Sequence, residues 1–74
     1  MVTVYTRNNC TQCTFTKGML DREGIEYRTI NLDEDAEAES FVRGFNITSA
    51  PVVVKEGFAP FGGFQPDKIM ALKN

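Results

Sequence analysis

Apolar and polar residues alternate at the start of the chain, Val2 and Val4 against Thr3 and Tyr5. β-Branched and aromatic side chains at a period of two suit a pleated, half-buried surface, so residues 2–6 are predicted as the first strand. Arg7-Asn8-Asn9 follows as a polar loop, in which Asn tolerates the positive φ that turns require. From Thr11 to Glu23 the period changes. Phe15, Met19 and Leu20 recur at helical intervals without a proline, and Gly24 stands where a left-handed residue closes a helix. Ile25 to Leu32, carrying Tyr27, Thr29, Ile30 and Leu32, reads as a second strand. Strand, helix and strand make a βαβ unit, expected to be parallel and right-handed.

In the second half, Asp33 is the expected N-cap of another helix, with Glu34 and Asp35 at its positive dipole end. Ala38, Phe41, Val42 and Phe45 then fall on one apolar face. The acidic run 33–39 reads as a solvated helix start rather than a partner patch. Pro51 opens a buried strand through Val54, a position where a proline removes no interior ladder bond. Lys55-Glu56-Gly57 is a turn, and Phe58 to Phe61 returns as an edge strand marked by Pro60, closing an antiparallel hairpin. Gly62 to Gln65 is a loop. Pro66 suits the first position of a last helix, whose buried side is Ile69, Met70 and Leu72. The order is β-α-β-α-β-β-α, of α/β class, in one domain over residues 1–74.

Composition narrows the function. With 74 residues, 42% hydrophobic and 24% charged, the chain has an ordinary globular make-up near the lower size limit for one stable core. Eight basic and ten acidic residues, scattered, offer no basic patch for nucleic acid. No basic leader and no apolar run approaching the ~20 residues of a membrane span is seen, so a cytoplasmic protein with no membrane partner is expected. The partner is then a protein or a small substrate.

Candidate chemistry is concentrated in Cys10-Thr11-Gln12-Cys13, which holds both cysteines of the chain. In the cytoplasm such a pair is redox-active or metal-binding more often than structural. Four-coordinate zinc needs two further ligands, and the chain has no His and no third Cys, so a complete zinc site within one molecule is close to excluded. A metal or iron–sulfur site shared between two chains remains as a rival. A disulfide closing so short a ring removes little unfolded-state entropy and is a poor staple.

Redox chemistry has a specific basis here. A thiol at a helix N-terminus faces unpaired N–H groups and the positive dipole end, which bring reactive cysteines from ~8.5 into the range of ~3.5 to 7.5. Cys10 occupies that position and is expected to be the exposed nucleophile. Cys13, nearly one turn further in, is expected to be shielded and to resolve the mixed disulfide. Arg7 is close enough in sequence to assist Cys10 or hold an anionic group, or is a solvated loop charge. Lys17, one turn beyond Cys13, either aids deprotonation of Cys13 or, by default, is an exposed helical lysine.

With these residues in view, the chain resembles the thioredoxin fold in its minimal, glutaredoxin-sized form. More closely, Tyr5-Thr6-Arg7-Asn8, Cys10-Thr11-Gln12-Cys13, Ala50-Pro51-Val52-Val53 and Gly63-Phe64-Gln65-Pro66-Asp67 resemble the NrdH-type redoxins along essentially the whole chain. The resemblance implies a four-stranded mixed sheet flanked by three helices and a dithiol oxidoreductase; a monomer is expected. It implies reduction by thioredoxin reductase with NADPH, used indirectly and with no bound cofactor or metal, and delivery of electrons to class Ib ribonucleotide reductase. It also implies a cis Ala50–Pro51 bond beside the cysteines, with Ala50 offering backbone hydrogen bonds to a peptide.

Two departures bear on the reductant. The family's Cys-Val-Gln-Cys has Thr11 in place of Val, and its Trp-Ser-Gly-Phe-Arg-Pro reads Phe61-Gly62-Gly63-Phe64-Gln65-Pro66 here. Gly62-Gly63 is similar to the Gly-Gly of glutathione-using glutaredoxins, and Arg7 stands where those proteins often carry a glutathione-contacting cation. The acidic residue that follows their Gly-Gly and their Pro-Tyr between the cysteines are both unmatched. Glutathione dependence is therefore the alternative, and the expected partner-binding set is Arg7, Thr11, Gln12, Ala50, Pro51, Phe61, Gly62, Gly63 and Phe64. Phe61 and Phe64 either form an apolar docking rim or belong to the core.

Overall fold

In the computed structural model, which describes residues 1–73, the chain runs β1 (Val2–Thr6), α1 (Thr11–Arg22), β2 (Tyr27–Asn31), α2 (Ala36–Arg43), β3 (Val52–Val54), β4 (Phe61–Gly62) and α3 (Pro66–Ala71). The strands form one mixed sheet in the order β2-β1-β3-β4. β1 pairs parallel with β2, Val4 opposite Thr29, and antiparallel with β3, Val4 opposite Val53. β3 and β4 are antiparallel, with Val53 opposite Phe61. The expected element order, mixed sheet and three helices are all present.

Strand periodicity divides the core into two layers. Val2, Val4, Val53 and Phe61 pack with Met19 and Leu20 of α1 and Ile69 and Leu72 around α3. Tyr5 and Val52 point the opposite way and pack with Leu32 and with Ala38 and Val42 of α2. Helices therefore cover both faces of the sheet. All five residues of β1 are buried, where the alternation predicted a half-buried strand. Central position and cover on both faces explain the difference.

Several local expectations change. Asp35, not Asp33, caps α2, its Oδ1 accepting the Ala38 N–H at 3.0 Å. β4 has two residues instead of four, because the turn closes later, with Phe58 N–H donating to the Lys55 carbonyl, and Pro60 has no N–H to give the ladder. Gly62 belongs to that strand and not to the loop. Phe15, Phe41 and Met70 are exposed, whereas Thr16 is fully buried on the inner face of α1. Gly24 follows α1 with φ +70° and Pro66 begins α3, both where the sequence placed them.

Candidate active site

β1, an interior strand, hands the chain from its C-terminal end, through residues 7–9, to the N-terminus of α1. Asn9 turns it at φ +54°, and Cys10 takes the N-cap position in extended backbone. The Cys10 Sγ accepts the Cys13 N–H at 3.1 Å, a place usually filled by a Ser, Thr or Asp oxygen. A free N–H at a helix start thus faces the sulfur itself and favours negative charge on it. The two cysteines are disulfide-bonded, with Cα atoms 5.2 Å apart. Their surroundings differ sharply. Cys13 is 2% exposed, whereas Cys10 is only partly buried.

Two loops lie at the same end of the sheet as the pair. The Ala50–Pro51 peptide bond is cis, as the resemblance implied. The Pro51 carbonyl accepts the Gly63 N–H at 2.8 Å, joining the two loops. Gly62 and Gly63 are glycines for separate reasons. A Cβ on Gly62 would run into the Ile47 side chain and stand 3.1 Å from the Ser49 carbonyl, so its absence lets residues 47–51 close on β4. Gly63 has φ +80°, which side chains rarely adopt, and a Cβ there would meet Gln12 Oε1 at 3.2 Å. Gln12 itself reaches across, Oε1 accepting the Phe64 N–H at 3.0 Å. Gln65 Nε2 donates to the Gly62 carbonyl at 2.7 Å and stiffens the same loop.

Of the residues singled out in the sequence, Cys10, Thr11, Gln12, Cys13, Ala50, Pro51, Gly62, Gly63 and Phe64 are thereby drawn to one end of the sheet. Thr11 and Gln12 are exposed, Ala50 and Phe64 partly so, and Pro51 is buried. Phe61 lies inside, 5% exposed, because its pairing with Val53 turns it to the α1–α3 layer. The exposed ring beside the site is Phe15, stacked at a tilt on Phe64 with centroids 5.8 Å apart.

Arg7 stands beside the cysteines, but its charge is engaged. Nη2 donates to both Glu39 oxygens at 2.7 and 2.9 Å, and Nη1 to Asp33 Oδ1 at 2.9 Å. These bonds, Glu39 first and Asp33 second, raise the guanidinium further above its ordinary value. Asp33 Oδ2 also accepts the Asn8 N–H at 2.7 Å. That bond, followed by the Arg7 bond, holds the Asp33 carboxyl below the usual carboxylate range. Asn31 completes the tie, its Nδ2 donating to Asn8 Oδ1 at 3.0 Å. Among the described residues, no group of three or more His, Cys, Asp or Glu side chains is placed to hold a metal ion. No helix among them is long and apolar enough to cross a membrane.

The glutaredoxin family profile matches residues 2–58. The glutaredoxin-like protein NrdH of Lactococcus lactis subsp. cremoris (strain MG1363) is 42% identical over 72 residues, 97% of this chain and 99% of that protein. The chain belongs to the glutaredoxin family, in its NrdH-type branch. NrdH of Escherichia coli (strain K12) is 38% identical over 71 residues, covering 96% of this chain and 86% of its own. The structure of NrdH-redoxin from Escherichia coli, described as a glutaredoxin-like protein with a thioredoxin-like activity profile, superposes with a TM-score of 0.93 at 36% identity. That superposition covers 99% of this chain and 95% of the other. The redoxin is accordingly a thiol–disulfide oxidoreductase with a thioredoxin-like fold.

Three features of this redoxin's site escaped the sequence reading. Glu39 as the partner of Arg7 lies 32 residues away, and only its position on the first turns of α2 hinted at it. The Gln12–Phe64 bond spans 52 residues and leaves no local pattern. Thr16 is a polar residue between Phe15 and Lys17, with nothing in its neighbours to mark it as buried. Its spacing of three from Cys13 was the available sign that both share a helix face.

Proposed function

We propose that this NrdH-type redoxin carries electrons from NADPH, through thioredoxin reductase, to protein disulfides, foremost those of class Ib ribonucleotide reductase. In the reduced protein the Cys10 thiolate attacks a disulfide sulfur of the target. A Cys10–target disulfide forms and the target's other sulfur leaves as a thiolate. Cys13 loses its proton and attacks Cys10 Sγ, re-forming the Cys10–Cys13 bond and releasing the second target thiol. Two electrons have then passed to the target, and thioredoxin reductase restores the dithiol.

The observation that carries this reading is the inequality of the two sulfurs: Cys10 part-exposed at the α1 N-cap, Cys13 at 2% exposure behind it. The thioredoxin-like activity profile described for the Escherichia coli relative supports thioredoxin reductase as the electron source. The NrdH name shared by the relatives supports the ribonucleotide reductase partner. In this reading Thr11, Gln12, Ala50, Pro51, Gly62, Gly63 and Phe64 form the surface on which partner peptides lie, with Phe61 supporting it from beneath. Arg7 borders that surface. The cytoplasm is its compartment and the monomer its working form.

Glutathione dependence is the second reading, favoured by Gly62-Gly63 and by Arg7. Engagement of Arg7 by Glu39 and Asp33 weighs against it, since a cation already paired is a weaker anchor for an anionic thiol. The two are separated by following NADPH consumption with a protein disulfide substrate. Turnover with thioredoxin reductase, and little with glutathione plus glutathione reductase, is the expected result. Turnover with the glutathione couple alone would overturn the proposal.

A further inference from the structure

Among the described residues, Thr16 Oγ1 is the one buried side-chain oxygen or nitrogen left without a hydrogen-bond partner. Thr16 is 0% exposed. Such groups are rare in folded proteins, because desolvating a hydroxyl without a replacement partner is unfavourable. A partner lies close at hand in any helix, since Thr hydroxyls commonly bond to a carbonyl three or four residues back. Thr14, two residues earlier in α1, does this, donating to the Cys10 carbonyl at 3.3 Å. Thr16 does not.

Its position supplies the reason. Thr16 follows Cys13 by three residues, so the two share the inner face of α1, and both are buried. Helical side chains lean toward the N-terminus and cover the preceding turn, which for Thr16 is the turn of Cys13. In the oxidised protein the Cys13 sulfur is bonded to Cys10, carries no charge, and receives no hydrogen bond from Thr16. Reduction changes that. A reductant thiolate attacks Cys10 Sγ, a sulfur–sulfur bond to Cys10 forms, the Cys10–Cys13 bond breaks, and its electron pair departs on Cys13 as a thiolate. A second reductant thiolate then frees Cys10, and Cys13 takes a proton from solvent. The negative charge thus first appears on a sulfur 2% exposed to water, one helical turn before the unpaired hydroxyl on the same buried face of α1.

We propose that the Thr16 hydroxyl is held in reserve as the hydrogen-bond donor to the Cys13 thiolate, so that it assists the opening of the disulfide. This rests on the reading above in which Cys10 is the attacked sulfur and Cys13 the leaving group. A donor that bonds the departing thiolate but not the disulfide acts on the transition state and not on the ground state. A better-stabilised thiolate is also a faster leaving group.

The test compares wild type, Thr16→Val and Thr16→Ser. Val keeps the shape without the hydroxyl, and Ser keeps the hydroxyl without the methyl. Reduction of the oxidised proteins by dithiothreitol is followed by stopped flow. The Cys13 thiol is titrated by thiolate absorbance in the Cys10→Ser background. Thr16→Val is expected to be reduced severalfold more slowly and to raise the Cys13 pKa by about one unit, the scale of a hydrogen bond to a charged group. Thr16→Ser should stay near wild type in both. The oxidised Thr16→Val protein should melt no lower than wild type, which separates the effect from simple destabilisation. Unchanged Cys13 titration and reduction rate in Thr16→Val would overturn the proposal, as would Thr16→Ser being impaired as much as Thr16→Val. Failure of the underlying reading looks different: Cys13→Ser would then trap no mixed disulfide at Cys10, whatever the Thr16 variants do.

Discussion

Gln12, between the two cysteines, accepts the backbone N–H of Phe64 at 3.0 Å and so ties the redox loop to the loop that leads into α3. Replacing it with Ala removes an exposed but long-range bond. A loss of about 0.5–1 kcal/mol is expected, at the lower part of the range for single hydrogen bonds. Urea unfolding of the oxidised protein measures it. The Phe64 amide should also exchange its hydrogen faster in Gln12→Ala, while amides of β1 stay unchanged.

Gly63→Ala and Gly18→Ala are expected to act in opposite directions. Gly63 has φ +80° and faces Gln12 Oε1, so a methyl there is strained and crowds the same contact; a loss of about 1 kcal/mol or more follows. Gly18 lies inside α1 with nothing within 4 Å of a Cβ, and Ala there should add about 0.5–1 kcal/mol through helix propensity. Thermal melts of the two variants, run side by side, check both signs.

Asp33 makes a distinct pH prediction. Its carboxyl is held below the usual carboxylate range by the Asn8 N–H and then by Arg7. A depressed folded-state pKa gives stability that is present above the unfolded value and is lost as pH falls through the folded one. The stability gap between wild type and Asp33→Asn should therefore be fully open near neutrality and narrow below about pH 4. Urea midpoints measured from pH 7 to pH 2.5 test this; a gap independent of pH would contradict the assignment. Raising salt should shrink the gap near neutrality, since the pairs are part-exposed.

Much of the scaffold was legible in local patterns. β1, the start of α1, the turn at Gly24 and the start of α3 at Pro66 are written within a few neighbouring residues, as alternation, a change of period, a glycine and a proline. What was not legible depended on distant partners. Asp33 is as good a cap as Asp35 by its chemistry, but Arg7 and Asn8, some 25 residues away, take its carboxylate, and the next aspartate, Asp35, caps the helix. Phe15 sits at a helical interval with Met19 but finds its neighbour in Phe64, across the molecule and near the surface. Phe61 read as a possible rim until its register with Val53 turned it inward. The cysteine pair itself was plain from spacing and position. Which sulfur is hidden was inferred from the helix start, and the structure puts a number on the hidden one.

The central claim is that Cys10 attacks and Cys13 resolves. Oxidised target protein incubated with the Cys13→Ser variant should give a stable mixed disulfide, and mass spectrometry of its peptides should place the bond at Cys10. The Cys10→Ser variant should trap little or none, because Cys13 is 2% exposed. Equal trapping by the two variants, or trapping through Cys13 alone, would contradict the account.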